Sequence, residues 1–128
     1  MMSITYSVDP RSGHLMTRAD GVVTFQEIDE HLDAEQRSRD LHRPEVIDAR
    51  GATTDVTALQ VRLLIQRAAS MLRVADVGPT AIVTSDDVVY GMARMYSILA
   101  ESAGVHAEVF RDMQSAHVWL EQFDNRSA

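Results

Sequence analysis

The fold of this chain is decided by residues 79–99, PTAIVTSDDVVYGMARMYSIL, where a short apolar segment runs through an acidic turn into a helix. Residues 80–83 are β-compatible and show no polar alternation, which is typical of a strand covered on both faces. Ser85 or Asp86 can cap the following helix, because either side chain accepts hydrogen bonds from free amides of its first turn. The stretch therefore predicts a central strand joined directly to a helix.

This helix is rich in methionine and tyrosine and carries one apolar stripe at helical spacing: Val88, Met92, Met95, Tyr96 and Leu99. Gly91 interrupts it at a cost of roughly 1 kcal/mol relative to Ala, which indicates that another backbone passes close by. Thioethers and amphipathic rings can line an adaptable apolar pocket, here built from Tyr90, Met92, Met95 and Tyr96. Ordinary core packing is the interpretation we favour for these side chains.

The length of 128 residues suits one domain, which we place at residues 1–124 with a frayed tail at 125–128. The net charge of −7, without any Lys/Arg run, disfavours binding to nucleic acid and to anionic lipid surfaces. The absence of cysteine excludes disulfides and agrees with a reducing compartment. The opening MMSITYSV lacks the features of a secretory signal, and no apolar run approaches the ~20 residues that span a bilayer. We expect a cytoplasmic protein with no integral membrane segment.

The other patterns complete the topology. Alternation at 4–8 and 14–20 predicts an antiparallel hairpin, and a Thr24–Glu27 capping box begins a helix that reaches about Arg37. Residues 45–51 and 106–110 predict two further strands, each followed by an amphipathic helix. Strands separated by helices of this length pair in parallel through right-handed crossovers. The order ββαβαβαβα predicts an α/β domain (α+β in some schemes) with a mixed sheet.

The candidate chemistry is sparse. The first helix carries five acidic residues, which we expect on a solvated face, with Asp33–Arg37 and Glu35–Arg39 spaced as ion pairs. Neither G-x-S-x-G nor a glycine-rich phosphate motif occurs. The histidines lack H-x-x-x-H and Glu-x-x-His spacing, so we expect each at the surface or its rim and no metal site on one helix. These histidines are His14, His31, His42, His106 and His117. We predict no catalytic residue, no metal and no cofactor.

Ligands of open α/β sheets bind where strands end and helices begin. In this chain those turns carry Asp48 and Arg50 after the third strand and Arg111 after the fifth. The two arginines could bind a polar small ligand, or the three residues could serve an unrecognised enzyme. Helix caps and local ion pairs explain the same residues, and that is the interpretation we favour.

The segments Tyr90-Gly91-Met92-Ala93-Arg94-Met95, Val109-Phe110-Arg111 and Ala116-x-x-Trp119-Leu120 resemble the bacterial STAS-like/Sec14-like family of largely uncharacterised proteins. The element order also resembles the STAS fold of anti-sigma-factor antagonists. The resemblance implies an apolar or lipid-like ligand. In the antagonists an Asp-Ser-Ser-Gly segment carries a phosphorylatable serine. The matching stretch is Asp55-Val56-Thr57-Ala58, which gives Thr57 the acceptor position and has Val and Ala where the family has Ser and Gly.

The sequence thus predicts a non-enzymatic STAS-like regulatory or binding module. It would act through protein–protein contacts or through a small apolar ligand, and the sequence permits a homodimer. A phosphorylation-switched antagonist with Thr57 as the acceptor, and an unrecognised enzyme using polar residues at the strand ends, remain the alternatives.

Overall fold

The computed structural model describes residues 3–124, and its elements follow the predicted order ββαβαβαβα. The fold prediction is therefore confirmed, while the predicted frayed tail lies outside the described residues. The strands are β1 (Ile4–Val8), β2 (Leu15–Val23), β3 (Glu45–Thr54), β4 (Thr80–Val83) and β5 (Ala107–Phe110). The helices are α1 (Phe25–Arg37), α2 (Ala58–Leu72), α3 (Asp87–Ser102) and α4 (Met113–Asp124).

The five strands form one sheet in the order β1-β2-β3-β4-β5. The β1–β2 hairpin is antiparallel, and the other three pairings are parallel because a helix separates the strands in the chain. β4 lies between β3 and β5, and its Ala81 and Val83 are fully buried. The predicted central position of this strand is confirmed.

The helices are divided unequally between the two faces of the sheet. On one face, Val46, Ala81 and Val83 pack with Ala116 and Leu120 of α4. The crossover helices α1, α2 and α3 all cover the opposite face, since α1 and α3 pack over the strands and α2 packs on α3. The segments that connect the parallel strands therefore enclose one side of the sheet.

The packing of α3 differs from its predicted stripe. Val88 is 57% exposed, whereas Ala93, Ser97 and Ala100 are buried. Small residues allow a helix to sit close to its neighbour, so the buried face is displaced from the row of larger apolar residues. The close backbone approach predicted at Gly91 is also wrong, because a Cβ there would meet no heavy atom within 4 Å outside its own helix.

Each of the first three helices begins at a side-chain cap. Thr24 and Glu27 form the predicted capping box of α1, and Thr57 forms a second one with Gln60 at α2. Asp86 caps α3, because its side chain accepts hydrogen bonds from the backbone amides of Val88 and Val89. These contacts satisfy amides that have no partner within the helix. Among residues 3–124, no helix is both long enough and apolar enough to cross a membrane.

Candidate functional site

A cavity of about 190 Å³ lies between the sheet and the helices α1, α2 and α3. Its wall is mainly apolar and includes Ile28, Ile47, Leu64, Ile82, Val89 and Met92. An engineered apolar cavity of about 150 Å³ is large enough to bind benzene. The space in this protein is therefore sufficient for a ligand of about one aromatic ring.

The alternation of β3 explains how the chain produces this space. Successive side chains of a strand point to opposite faces, so Glu45, Ile47 and Ala49 face the cavity while Val46 packs towards α4. Several lining positions hold alanine, whose side chain is too short to fill the gap between sheet and helices. These are Ala19, Ala49, Ala52 and Ala93.

Three ionisable side chains meet in the wall of the cavity, two from α1 and one from β3. The Nε2 atom of His31 lies 2.9 Å from Oε2 of Glu45 and 3.4 Å from Oε1 of Glu35. The side chains of His31, Glu35 and Glu45 are 8%, 3% and 7% exposed. This buried cluster of three ionisable side chains distinguishes the cavity from an ordinary apolar core.

Neighbouring side chains hold the cluster in place. The hydroxyl of Thr17 donates a hydrogen bond to Oε2 of Glu45, which fixes that carboxylate from the adjacent strand. The ring of Tyr6 packs edge-on against the imidazole of His31, with 5.3 Å between ring centroids. The Tyr6 hydroxyl donates to Ser38, just after α1. The cluster and its supporting side chains therefore come from three strands and one helix.

Burial is the main electrostatic influence on this region. It raises the pKa of Glu35 to about 10, with a further contribution from the nearby negative charge of Glu45. Glu35 is therefore a protonated, neutral hydrogen-bonding group at neutral pH. Burial also raises the pKa of Tyr96 to about 12, so this cavity-lining phenol remains protonated. The wall of the cavity consequently offers hydrogen-bond donors as well as acceptors.

The structure separates the residues predicted to bind an apolar ligand. Met92 and Tyr96 line the cavity, whereas Met95 and Tyr90 do not belong to its lining. Tyr90 instead lies beneath the guanidinium of Arg111, which is 4.1 Å from the ring centroid. The same arginine donates to Asp87 at 2.9 Å. Half of the predicted methionine and tyrosine set is thus found at the cavity.

The polar residues predicted at the strand ends form local pairs. Arg50 donates to both carboxylate oxygens of Asp48 at 2.9 Å, and this ion pair lowers the pKa of Asp48. Within residues 3–124, no recorded hydrogen bond or salt bridge joins the pair to Arg111. Thr57 is exposed, and its hydroxyl accepts a hydrogen bond from the amide of Gln60 at 3.2 Å. The roles predicted for these residues stay predictions.

Several expectations about polar residues are wrong, and three of them concern α1. Glu35 was expected on a solvated face but is only 2% exposed, and His31 is buried beside it instead of lying at the surface. His14 is also buried, at 6% exposure. Asp33 pairs with Arg67 of α2 instead of with Arg37. Tertiary partners therefore decide which polar residues of this helix face inward.

The missed cluster leaves a weak signal in the sequence. His31 and Glu35 are four residues apart, which places them on one face of a helix. The same spacing recurs at His117 and Glu121 in α4, where Glu121 is exposed. Only the third member, Glu45 on the inward face of β3, distinguishes the two pairs. That contact is not visible in the sequence of α1.

No protein-family model matches the chain, and no curated protein matches it either. Among solved structures, it is similar to an uncharacterised DUF3478-family protein with a SpoIIAA-like fold from Shewanella loihica PV-4. The match has a TM-score of 0.60 and covers 94% of this chain and 95% of that one. This chain has a SpoIIAA-like fold. The predicted STAS-like architecture is thereby confirmed, and at 14% identity the similarity concerns the fold alone.

Proposed function

We propose that this SpoIIAA-like protein is a non-enzymatic binding module whose cavity accepts a small, mainly apolar ligand. The observation that carries the proposal is an apolar cavity with a buried polar cluster in its wall. Ligand sites commonly combine such a lining with a few polar groups that fix the orientation of the ligand. Ordinary core packing, the interpretation favoured from the sequence, leaves few voids larger than a water molecule.

The volume restricts the class of ligand. At about 190 Å³ the space is somewhat larger than the engineered cavity of about 150 Å³ that binds benzene. A small aromatic compound with one ring or two fused rings, such as toluene or indole, or a short-chain amphiphile suits it better than a long acyl chain. The polar group of such a ligand would contact His31, Glu35 or Tyr96, which all lie in the wall.

The test uses indole as the ligand in an NMR titration of the ¹⁵N-labelled protein. We expect saturable shifts of amides around the cavity, centred on β3 and α3. The variant Ala49→Leu adds three carbons to the wall and should weaken binding at least tenfold. The control Ala58→Leu makes the same change at the exposed start of α2 and should bind as the parent does.

Absence of saturable shifts with indole, toluene and octanoate would contradict the proposal, and so would equal binding by the two leucine variants. Native mass spectrometry of the freshly purified protein supplies a second measurement. A co-purifying apolar compound of low mass that Ala49→Leu loses would support the proposal, whereas retention of that compound by Ala49→Leu would count against it.

We also propose regulation at Thr57 as a second candidate function. Thr57 is an exposed residue directly before α2, where the positive end of the helix dipole favours an added phosphate. Incubation with anti-sigma kinases should label the parent protein and not Thr57→Ala. Equal labelling of the two proteins would eliminate this acceptor.

A further inference from the structure

We propose that His31, Glu35 and Glu45 form a binding site for one divalent transition-metal ion, with Zn²⁺ as the best match. One ligand atom from each of the three side chains lies within 4.8 Å of the others. Within residues 3–124, this is the one such group of three histidine or carboxylate side chains. The inference does not depend on an apolar ligand, because the three side chains themselves supply the donors.

Two of the three distances between donor atoms require little movement. Zinc binds histidine nitrogen and carboxylate oxygen at about 2.0–2.2 Å, so neighbouring donors in a tetrahedral site are roughly 3.3 Å apart. The 3.4 Å between His31 and Glu35 already matches, and the 2.9 Å between His31 and Glu45 needs to open by a few tenths of an ångström. The ion would replace two direct contacts among the ligands with metal bonds.

The charges also balance. Buried carboxylates are stable in proteins when they are paired or bind a metal. Binding of a divalent cation would displace the proton that Glu35 carries in the free protein, and the two glutamates would then balance the charge of the ion. A single nitrogen donor with two carboxylates also favours Zn²⁺ or Mn²⁺ over Ca²⁺, which prefers six to eight oxygen donors.

The surroundings resemble the outer shell of a metal site. Ligating side chains are usually held by second partners that fix their orientation. Here Thr17 donates to Glu45, and Tyr6 packs against the ring of His31. Three protein ligands leave one position of a tetrahedral zinc site for water or another ligand. Since all three residues line the cavity, that position would be reached from inside it.

The experiment is a calorimetric titration of tag-free, chelator-treated full-length protein with ZnCl₂. We expect one ion per chain and a rise in Tm of about 10 °C when free Zn²⁺ is 100 times Kd. The near-isosteric variants Glu45→Gln and His31→Asn should each weaken binding at least 100-fold. The control His117→Asn disrupts the equally spaced histidine–glutamate pair of α4 and should leave the affinity unchanged.

A measurement on the unmodified protein keeps the test valid if a variant fails to fold. Substoichiometric Mn²⁺ broadens NMR signals near its binding site, and we expect the broadening to centre on residues 31, 35 and 45. Broadening centred elsewhere would overturn the proposal, as would the absence of binding at 100 µM Zn²⁺ or undiminished affinity in folded Glu45→Gln. If the protein binds Zn²⁺ but not indole, the metal site is supported and the proposed binding of an apolar ligand is contradicted.

Discussion

Replacing glycine by alanine at two positions, Gly78 and Gly91, tests the packing of the protein most directly. Gly78 is buried just before β4, and a Cβ added there would lie 2.3 Å from the carbonyl oxygen of Arg43 and 2.6 Å from that of His42. Both contacts are with backbone and cannot be relieved by a rotamer change. Arg43 is itself held by hydrogen bonds to Asp40 and Gly13. We therefore expect Gly78→Ala to force the two segments apart.

The magnitude follows from two costs. Overpacking of this kind destabilises by typically 1–3 kcal/mol, and separation of the segments would weaken the 2.7 Å hydrogen bond from the Gly78 amide to Leu41, worth about 1 kcal/mol. The free energy of unfolding should fall by about 2–4 kcal/mol. For a chain of this length the unfolding entropy converts that loss into a Tm lower by about 8–15 °C.

The matched control is Gly91→Ala. Gly91 is exposed in the middle of α3, where an added Cβ has open space, so the gain in helix propensity should stabilise by about 0.5–1 kcal/mol. Urea unfolding followed by circular dichroism measures both variants. The reasoning is refuted if Gly78→Ala unfolds within 0.5 kcal/mol of the parent, or if the two changes have the same sign.

Substitutions at four further positions address other contacts. Thr57→Ala removes a capping box and should cost about 1 kcal/mol in urea unfolding, with Thr57→Ser restoring most of it. Leu120→Ala removes a fully buried side chain on the inner face of α4 and should cost about 2–5 kcal/mol. Arg67→Met breaks two partly exposed ion pairs to α1, so we expect a loss of no more than about 1 kcal/mol that shrinks in 1 M NaCl. The paired Arg50 lowers the pKa of Asp48 in the folded state. The stability advantage of the parent over Asp48→Asn should therefore be present above pH 5 and vanish as the pH falls below 3, and an advantage independent of pH would contradict this.

The topology could be predicted because its signals are local. The capping box at Thr24, the alternation in the hairpin and the apolar run at 80–83 each depend on residues close together in the chain. Together these signals restrict the chain to few possible topologies, because the connections between parallel strands are almost always right-handed. The parallel pairing of the later strands followed from the helices between them, whereas the order of the strands in the sheet was not predicted.

The polar cluster could not be predicted in the same way. On α1, Glu35 has the same local features as the solvated acidic residues around it. Its burial results from β3, which brings Glu45 against the helix, and from Thr17 on the neighbouring strand. The cavity presents the same difficulty, because Met92 and Met95 look alike in sequence and only the rotation of α3 places one of them in the wall.

Within residues 3–124, α4 is the one helix on its side of the sheet, and this placement gives the protein an internal optical reporter. Trp119, the single tryptophan, contacts Phe110 and Phe123 on that side, with ring centroids 5.9 and 4.9 Å apart. The fluorescence of Trp119 should change when α4 detaches from the sheet. It should change very little when a ligand binds in the cavity on the opposite face. Fluorescence would then report on the α4 face of the sheet and amide chemical shifts on the cavity face, in one sample and without an added dye.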